Sequence, residues 1–232
     1  MTQDFGKVEV EIPCGDLTLN GTLSLPIEPH GMILFAHGSG SSRFSTRNQF
    51  VANVLNKGNF ATLLLDLLHP NEDQTSAARF DIDLLTNRLW HAFIWSKNYQ
   101  KTRSLPIGLF GASTGAAATL QFAGNLQLEA RDKIFAIVSR GGRPDLARAE
   151  YLKQVRAPCL FVVGQNDEDV IALNKIAYSQ MTCYRSFQII RGASHLFEEP
   201  GKLILVANLA LSWYQRYVIS NPEISKSFQA GA

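Results

Sequence analysis

The chain has 232 residues, of which 46% are hydrophobic and 18% charged, and its formal net charge is +2. This composition excludes an intrinsically disordered chain, which combines low hydrophobicity with high net charge. A net charge so near zero provides no broad electrostatic surface for nucleic acid, so we expect no nucleic-acid partner. The length fits a single domain over residues 1–232, with a frayed tail from about residue 220.

No segment indicates a membrane anchor, a signal peptide or a metal site. The sequence contains no run of 18 apolar residues, and residues 1–13 lack the basic and apolar regions of a secretory signal. Cys14, Cys159 and Cys183 are widely spaced, and no Cys/His cluster has zinc spacing. We therefore expect a cytoplasmic protein without membrane contact, disulfide framework or bound metal.

The pattern of apolar residues predicts a hairpin followed by alternating strands and helices. Residues 8–12 and 17–25 alternate in polarity and predict an antiparallel hairpin. Short continuous apolar runs, typical of strands buried on both faces, then occur at 32–36, 60–65, 107–110, 134–138, 159–163 and 186–190. Segments long enough for helices lie at 45–57, 80–99, 114–128, 145–155, 170–181 and 201–218. This alternation predicts an α/β fold with a mostly parallel central sheet covered by helices on both faces.

One serine has the sequence context of a nucleophile. Residues 111–115 read GASTG and match the pattern G-x-S-x-G, with an apolar strand before them and small helix-forming residues after them. A serine on such a sharp strand-to-helix turn holds its hydroxyl exposed above the sheet. We predict that Ser113 is the nucleophile. The alternative is a glycine-lined start of a helix that has no chemical role.

The partners of Ser113 follow from their order and place in the chain. For a nucleophile on this kind of turn, the acid and then the histidine come later in the sequence. His195 is the only histidine after Ser113, and it follows the last strand, at the edge where ligands bind in open α/β sheets. Asp167 follows another strand at the same edge and is the predicted acid, with Glu168 as second candidate. Asp167 could instead cap the next helix, although Asp169 fits that role better by position.

A loop of small residues after the strand at 32–36 predicts an oxyanion hole. Its backbone N–H groups can point into a cavity, and we expect the amides of Ser39 and Thr114 to stabilise the oxyanion. Residues 38–43, GSGSSR, also nearly match the dinucleotide motif G-x-G-x-x-G, with Asp66 as a ribose ligand. Arg43 stands where that motif has its third glycine, which disfavours the dinucleotide interpretation.

Taken together, these motifs resemble those of the α/β-hydrolase superfamily, and within it the dienelactone-hydrolase-related group. The resemblance extends over about residues 8–218 and rests on FAHGSGSSR at 35–43, LLLDLL at 63–68, GASTG at 111–115, SRGGRPDL at 139–146, VGQNDEDV at 163–170 and GASHLFEEPG at 192–201. It looks closest to a hydrolase module that some proteins carry fused to a phosphoribosyltransferase-like domain. Position by position, the resemblance implies the same Ser113, Asp167 and His195. Many relatives insert a helical cap between strands, but the candidate inserts here, at 69–78 and 140–155, are short, so we expect no large cap. The namesake enzymes use a cysteine nucleophile, so the serine here favours ordinary esters over dienelactone.

The sequence predicts a serine hydrolase that cleaves small carboxylic esters or lactones through an acyl-serine, with no cofactor. Arg43, Arg140 and Arg143 are candidates for binding a substrate carboxylate, and the alternative is that they pair with Asp145 or cap backbone carbonyls. A thioesterase or peptidase with the same triad is a second candidate function. A non-catalytic ligand-binding protein on a hydrolase scaffold is a third, and the oligomeric state is not predicted.

Overall fold

We describe residues 6–125 and 133–219 of a computed structural model of the chain. The strands in this part of the chain are β1 (Gly6–Cys14), β2 (Leu17–Leu25), β3 (Met32–Ala36), β4 (Ala61–Leu65), β5 (Ile107–Ala112), β6 (Ile134–Arg140), β7 (Cys159–Gly164) and β8 (Arg185–Ile190). Its α-helices are α1 (Thr46–Lys57), α2 (Ser76–Phe80), α3 (Ile82–Asn98), α4 (Thr114–Asn125), α5 (Ala149–Gln154), α6 (Glu168–Gln180) and α7 (Lys202–Ile219). The last residues of the helix predicted at 114–128 and the predicted frayed tail lie outside the described residues.

All eight of these strands join one sheet in the order β1-β2-β4-β3-β5-β6-β7-β8. The predicted hairpin is present, since β1 pairs antiparallel with β2, and β2 pairs antiparallel with β4. Every other pairing is parallel, from β4 and β3 to β7 and β8. The predicted fold class, a mostly parallel α/β sheet with an antiparallel pair at its start, is therefore confirmed.

Apolar side chains cover both faces of this sheet, as the continuous apolar strands predict. Helices α1 and α7 pack on one face, with buried residues that include Val51, Leu55, Val206, Ala210 and Tyr214. Helices α3 and α4 pack on the other, with buried residues that include Leu85, Leu89, Ala117 and Leu120. The buried Tyr214 hydroxyl donates to the carbonyl oxygen of Leu109 at 2.5 Å, so α7 is also hydrogen-bonded to the central strand β5. Strand β8 is half exposed because it lies at the edge of the sheet.

The helix predicted at 80–99 begins two residues later than expected, and a separate short helix precedes it. Asp81 ends α2, and its side chain accepts a hydrogen bond from the amide of Leu84 in the first turn of α3. This is an N-cap, which satisfies a backbone donor that the helix leaves without a partner. The first four residues of the five-residue α2 lie in a segment for which the sequence predicts no helix.

The single helix predicted at 145–155 is wrong. The chain instead forms a 3-10 turn at Pro144–Leu146, then two extended residues, and then α5. Ala147 and Arg148 have ψ angles of 148° and 133°, which break the helical path. The Arg148 amide donates to the side chain of Gln121 on α4 at 3.0 Å, so a tertiary contact replaces a helical hydrogen bond.

The sheet brings the three residues predicted to form a triad to the same edge. Ser113 follows β5, Asp167 follows β7 and His195 follows β8. Because β5, β6, β7 and β8 are parallel, their carboxyl ends lie together. Within the described residues, no helix combines the length and apolar content needed to cross a bilayer.

Candidate active site

Ser113 occupies a strained turn between β5 and α4. Its φ angle is +50°, in the left-handed region that side chains other than glycine rarely adopt. The flanking glycines are needed for space: a β-carbon at Gly111 would lie 2.7 Å from the amide nitrogen of Ala116. One at Gly115 would lie 2.5 Å from the carbonyl oxygen of His37. Such strain is typical of functional sites, because the surrounding structure must hold it in place.

The backbone of Ser113 is held by the segment after β6. The Ser113 amide donates to the carbonyl oxygen of Arg140 at 3.2 Å, and the Ser113 carbonyl accepts from the amide of Arg143 at 3.0 Å. Gly38 packs on the other side, where a β-carbon would lie 2.9 Å from that of Ser113. The serine is half-buried. These backbone contacts on two sides set its position.

Asp167 and His195 are in direct contact. The Oδ2 atom of Asp167 lies 2.6 Å from Nδ1 of His195, within the range of a charge-assisted hydrogen bond. The Asp167 side chain is 15% exposed and that of His195 is 36% exposed. If Nδ1 carries the proton and donates it to Asp167, Nε2 is left as the acceptor that a general base requires.

Asp167 is also the N-cap residue of α6, and this corrects the assignment of that role to Asp169. The helix begins at Glu168, and the Asp167 side chain makes no capping hydrogen bond. Its carboxylate is directed to His195 instead. Glu168 and Asp169 lie in the first helical turn and are exposed. The second candidate for the acid, Glu168, makes no such contact with His195 in the described residues.

The loop that carries His195 packs closely against Gly141. This glycine has φ +50°, and a β-carbon on it would lie 3.5 Å from the His195 ring and 3.1 Å from its carbonyl oxygen. Gly141 directly follows Arg140, whose carbonyl binds the Ser113 amide. Within the loop, Glu199 accepts from the amide of Ser194 at 2.9 Å, and hydrogen bonding with the side chain of Ser194, more than with its amide, lowers the pKa of the Glu199 carboxyl. Ser113 and His195 thus meet at the same short segment after β6.

The His37 ring makes hydrogen bonds that fix the start of the predicted oxyanion loop. Its ring is buried, Nε2 accepts from the amide of Leu67 at 3.0 Å, and Nδ1 lies 2.9 Å from the carbonyl oxygen of Gly38. These two contacts require the neutral tautomer with the proton on Nδ1. Burial lowers the pKa of His37, more strongly than its bond to Gly38 and the charge of Asp66 raise it.

The amides predicted to form the oxyanion hole are available as donors. In the described part of the chain, neither the Ser39 nor the Thr114 amide donates to a backbone acceptor. Thr114 is the first residue of α4, where the helix dipole favours negative charge. The structure thus leaves both donors free beside the nucleophile turn.

The three arginines predicted as substrate ligands have different environments. Arg43 forms ion pairs with Asp66 and Glu9, and Arg143 pairs with Asp145 through two nitrogens at 2.8 and 2.9 Å. For Arg143 this is the alternative predicted from the sequence. Since carboxylates of the chain already occupy two nitrogens of each guanidinium, the contacts favour ion pairing over substrate binding for Arg43 and Arg143.

Arg140, in contrast, is buried and its guanidinium forms no hydrogen bond in the described part of the chain. Its Nε and Nη1 atoms are both inaccessible to solvent. Burial and the charge of the neighbouring Arg47 lower the pKa of Arg140 to about 10. A buried cation without a carboxylate is unusual, because removing it from water is costly unless an anion compensates.

The cofactor interpretation of the glycine-rich loop finds no support in these contacts. Asp66, the proposed ribose ligand, accepts from the Arg43 amide at 2.7 Å and pairs with the Arg43 guanidinium. Across residues 6–125 and 133–219, no three His, Cys, Asp or Glu residues are grouped so that they could hold a metal ion.

The sequence analysis missed the roles of His37 and Gly141. His37 directly precedes the glycine-rich loop, so its position is a signal, but its partner Leu67 lies 30 residues away. Gly141 stands out only through its positive φ, which no sequence pattern reports.

Comparison with known proteins supports a hydrolase fold. A family profile described as an alpha/beta hydrolase domain matches residues 29–206. A solved structure named dienelactone hydrolase from Anabaena variabilis is 45% identical with a TM-score of 0.87, over 92% of this chain and 98% of that one. Est1E from Butyrivibrio proteoclasticus, 17% identical, shares the fold with a TM-score of 0.74 over 91% of this chain and 99% of its own.

The curated relatives are longer proteins. Proteins from two strains of Mycobacterium tuberculosis, provisionally named phosphoribosyl transferase, are 47% identical over 206 residues. The match covers 89% of this chain and 45% of theirs, so the chain spans about half the length of the curated relatives it matches.

Proposed function

The chain belongs to the α/β-hydrolase family, as its motifs predict, and on that premise we propose that it hydrolyses small carboxylic esters or lactones with Ser113 as nucleophile. The observation that carries this proposal is the 2.6 Å contact between Asp167 and His195 at the sheet edge where Ser113 occupies its strained turn. A histidine held by a carboxylate, at the same sheet edge as a serine on such a turn, is the arrangement that activates a hydroxyl for acyl transfer.

In the proposed mechanism, His195 acts first as a general base. Its Nε2 removes the proton from the Ser113 hydroxyl while the oxygen attacks the substrate carbonyl. Asp167 keeps the other ring nitrogen protonated and stabilises the imidazolium that forms. His195 then donates the proton to the leaving alcohol, which leaves an acyl-serine. Water attacks this intermediate with the same base and releases the acid.

The developing oxyanion would be bound by the amides of Ser39 and Thr114. Each donor is fixed before substrate arrives: Thr114 by the start of α4, and the loop of Ser39 by His37 and its bond to Leu67. Preorganised donors of this kind lower the barrier by about 3 kcal/mol each. Because backbone amides supply them, side-chain substitutions at Ser39 and Thr114 would not remove them.

For the substrate, we propose an ester or lactone that carries an acidic substituent, bound by Arg140. Arg140 lies on β6 beside the nucleophile turn, with its carbonyl bonded to Ser113 and with its buried Nε and Nη1 unpartnered among the described residues. A substrate carboxylate that reaches Nη2 can accept a charge-assisted bond from the guanidinium, which offsets the cost of burying that cation. Arg43 and Arg143 are not included, because they pair with Asp66 and Asp145.

The test of the proposed nucleophile is labelling with a fluorophosphonate followed by peptide mapping. We expect the label on Ser113, with labelling lost in Ser113→Ala and reduced to background in His195→Ala. Ser212→Ala, which removes an exposed serine of α7, serves as the matched control and should label normally. An active protein whose label maps to another residue would refute the assignment.

A substrate panel separates the proposed esterase from the other functions. Matched p-nitrophenyl ester, thioester and anilide substrates report ester, thioester and amide cleavage. We expect the highest kcat/KM on esters, and loss of all turnover in Ser113→Ala. Higher kcat/KM on thioesters or amides would assign one of the other acyl-transfer classes, and no turnover of any acyl substrate would favour a ligand-binding role.

A further inference from the structure

Two of the three cysteines meet at the edge of the sheet opposite the candidate active site. Cys159 is the first residue of β7, and Cys183 lies in the turn between α6 and β8. Their sulfur atoms are 3.9 Å apart, and both side chains belong to the same apolar core. Cys159 is 1% exposed and Cys183 8% exposed, so both are buried and Cys183 is the more accessible of the two. The triad uses neither thiol.

We propose that Cys159 and Cys183 form an oxidisable dithiol site that closes to a disulfide when the protein meets a hydroperoxide. A disulfide has an S–S distance of about 2.05 Å, so the two sulfurs must approach by roughly 2 Å. The backbone on either side is already paired, because Cys159 lies opposite Arg185 in the ladder and its amide donates to the Tyr184 carbonyl at 2.9 Å. The movement that brings the two sulfur atoms together must therefore come from the side chains.

The local charges make Cys183 the thiol that reacts first. Its bond with Cys159 and the positive charges of Arg185 and Arg156 lower the pKa of Cys183, although burial opposes them. Burial raises the pKa of Cys159, which stays a thiol. Since the thiolate is the nucleophile, the more exposed and more acidic cysteine attacks the peroxide, and the buried one is positioned to resolve the product.

The reaction balances with the hydroperoxide as the only oxidant. The Cys183 thiolate attacks one peroxide oxygen, so that an S–O bond forms, the O–O bond breaks, and the leaving oxygen takes up a proton. Cys159 sulfur then attacks the sulfenic acid at Cys183, its proton passes to the hydroxyl that leaves as water, and the S–S bond forms. The two thiols lose two electrons and two protons, and hydrogen peroxide becomes two waters.

The position of the site predicts what the crosslink does. It joins the amino ends of β7 and β8, whereas Asp167 and His195 follow the carboxyl ends of the same strands. The six residues of β7 separate the two ends by about 20 Å. We therefore expect oxidation to stabilise the fold without blocking hydrolysis. A crosslink between residues 24 positions apart should raise the thermal midpoint, on the order of 5–10 °C for a chain of this size.

The experiment treats the full chain with stoichiometric hydrogen peroxide and follows intact mass, peptide mapping and thermal midpoint. We expect a loss of two hydrogen atoms, a peptide pair joined through Cys159 and Cys183, and a higher midpoint that reverses with dithiothreitol. Cys14, which is buried and contacts Arg88, should remain a thiol. Cys14→Ser should still crosslink, whereas Cys183→Ser should not.

Three results would overturn the proposal. The first is conversion of Cys183 to sulfinic acid without any crosslinked peptide in the folded wild-type chain. The second is a crosslink that forms only after unfolding in urea, and the third is one that involves Cys14. Because the mapping is done on the wild-type chain, the result does not depend on whether the Cys183→Ser variant folds.

Discussion

Replacing Asp167 by asparagine tests the proposed triad with the smallest change in shape. The carboxylate accepts from Nδ1 of His195 at 2.6 Å. A carboxamide can present its NH2 group to the same nitrogen, which then becomes an acceptor and moves the imidazole proton to Nε2. In that tautomer His195 cannot take a proton from Ser113. The substitution therefore reverses the direction of the hydrogen bond rather than only weakening it.

The size of the effect distinguishes loss of a charge from reversal of the tautomer. A hydrogen bond to a charged group is worth about 1.5–3 kcal/mol, which corresponds to roughly a 10- to 150-fold loss of rate. The Asp167 side chain is 15% exposed, so solvent screens this contribution little. Reversal of the tautomer lowers kcat by about 10⁴-fold in enzymes with this triad, close to 5.5 kcal/mol of barrier. We expect Asp167→Asn to approach the larger value.

Two neighbouring carboxylates supply the controls. Asp169→Asn removes the same charge from the first turn of α6, where an acid stabilises the helix by about 0.3–1 kcal/mol. Because the Asp167 side chain makes no capping bond, both variants should lose similar stability. Glu168→Gln tests the second candidate for the acid. The assay is kcat on a p-nitrophenyl ester, with thermal unfolding by circular dichroism as the check on folding.

A folded Asp167→Asn variant with kcat within tenfold of the wild type would refute the proposed role. A large loss in Glu168→Gln with little change in Asp167→Asn would transfer that role to Glu168. Equal losses in Asp167→Asn and Asp169→Asn would mean that the rate reflects the start of α6 rather than contact with His195.

Three further predictions concern the surroundings of the triad. Gly115→Ala should lower the free energy of unfolding by about 1–3 kcal/mol in urea titrations, because its β-carbon would collide with the Ala36 carbonyl oxygen and lie 2.5 Å from that of His37. Burial lowers the pKa of His37, so below pH 6.5 the unfolded chain binds a proton that the folded chain does not, and the free energy of unfolding should fall as the pH drops. In urea titrations at pH 5.5 and 7.5, this fall should be shallower in His37→Gln than in the control variant His91→Gln. Arg140→Met should lower kcat/KM for a hemisuccinate ester by at least about tenfold and change that for a neutral ester less than threefold, and an equal loss on both would remove Arg140 from substrate recognition.

Strands and helix faces were predictable because their signals are local. Continuous apolar runs such as 32–36 and 107–110 can be buried only when both faces of the sheet are covered. Once the parallel order is assumed, the ends of β5, β7 and β8 must lie at one edge, and this brings Ser113, Asp167 and His195 together. The contact between Asp167 and His195 at 2.6 Å follows that expectation.

The environments of the three arginines could be predicted from the sequence only in part. Nothing within a few residues of Arg43 indicates that Asp66, 23 positions later, accepts from both its amide and its side chain. Arg143 has its partner Asp145 only two residues away, so the sequence alone offers this pairing as an alternative. Arg140 differs from both through its burial, which depends on tertiary packing rather than on residues near it in the sequence.

Gly115 is required in the nucleophile turn for a physical reason different from the one that the motif suggests. A tight turn alone would require small residues on either side of Ser113. At Gly115, however, the obstacles are the carbonyl oxygens of Ala36, the last residue of the adjacent strand β3, and of His37, which follows it. The same His37 uses its ring to bind Leu67 and Gly38. The nucleophile turn and the oxyanion loop are therefore packed directly against each other, so a change that shifts one must shift the other.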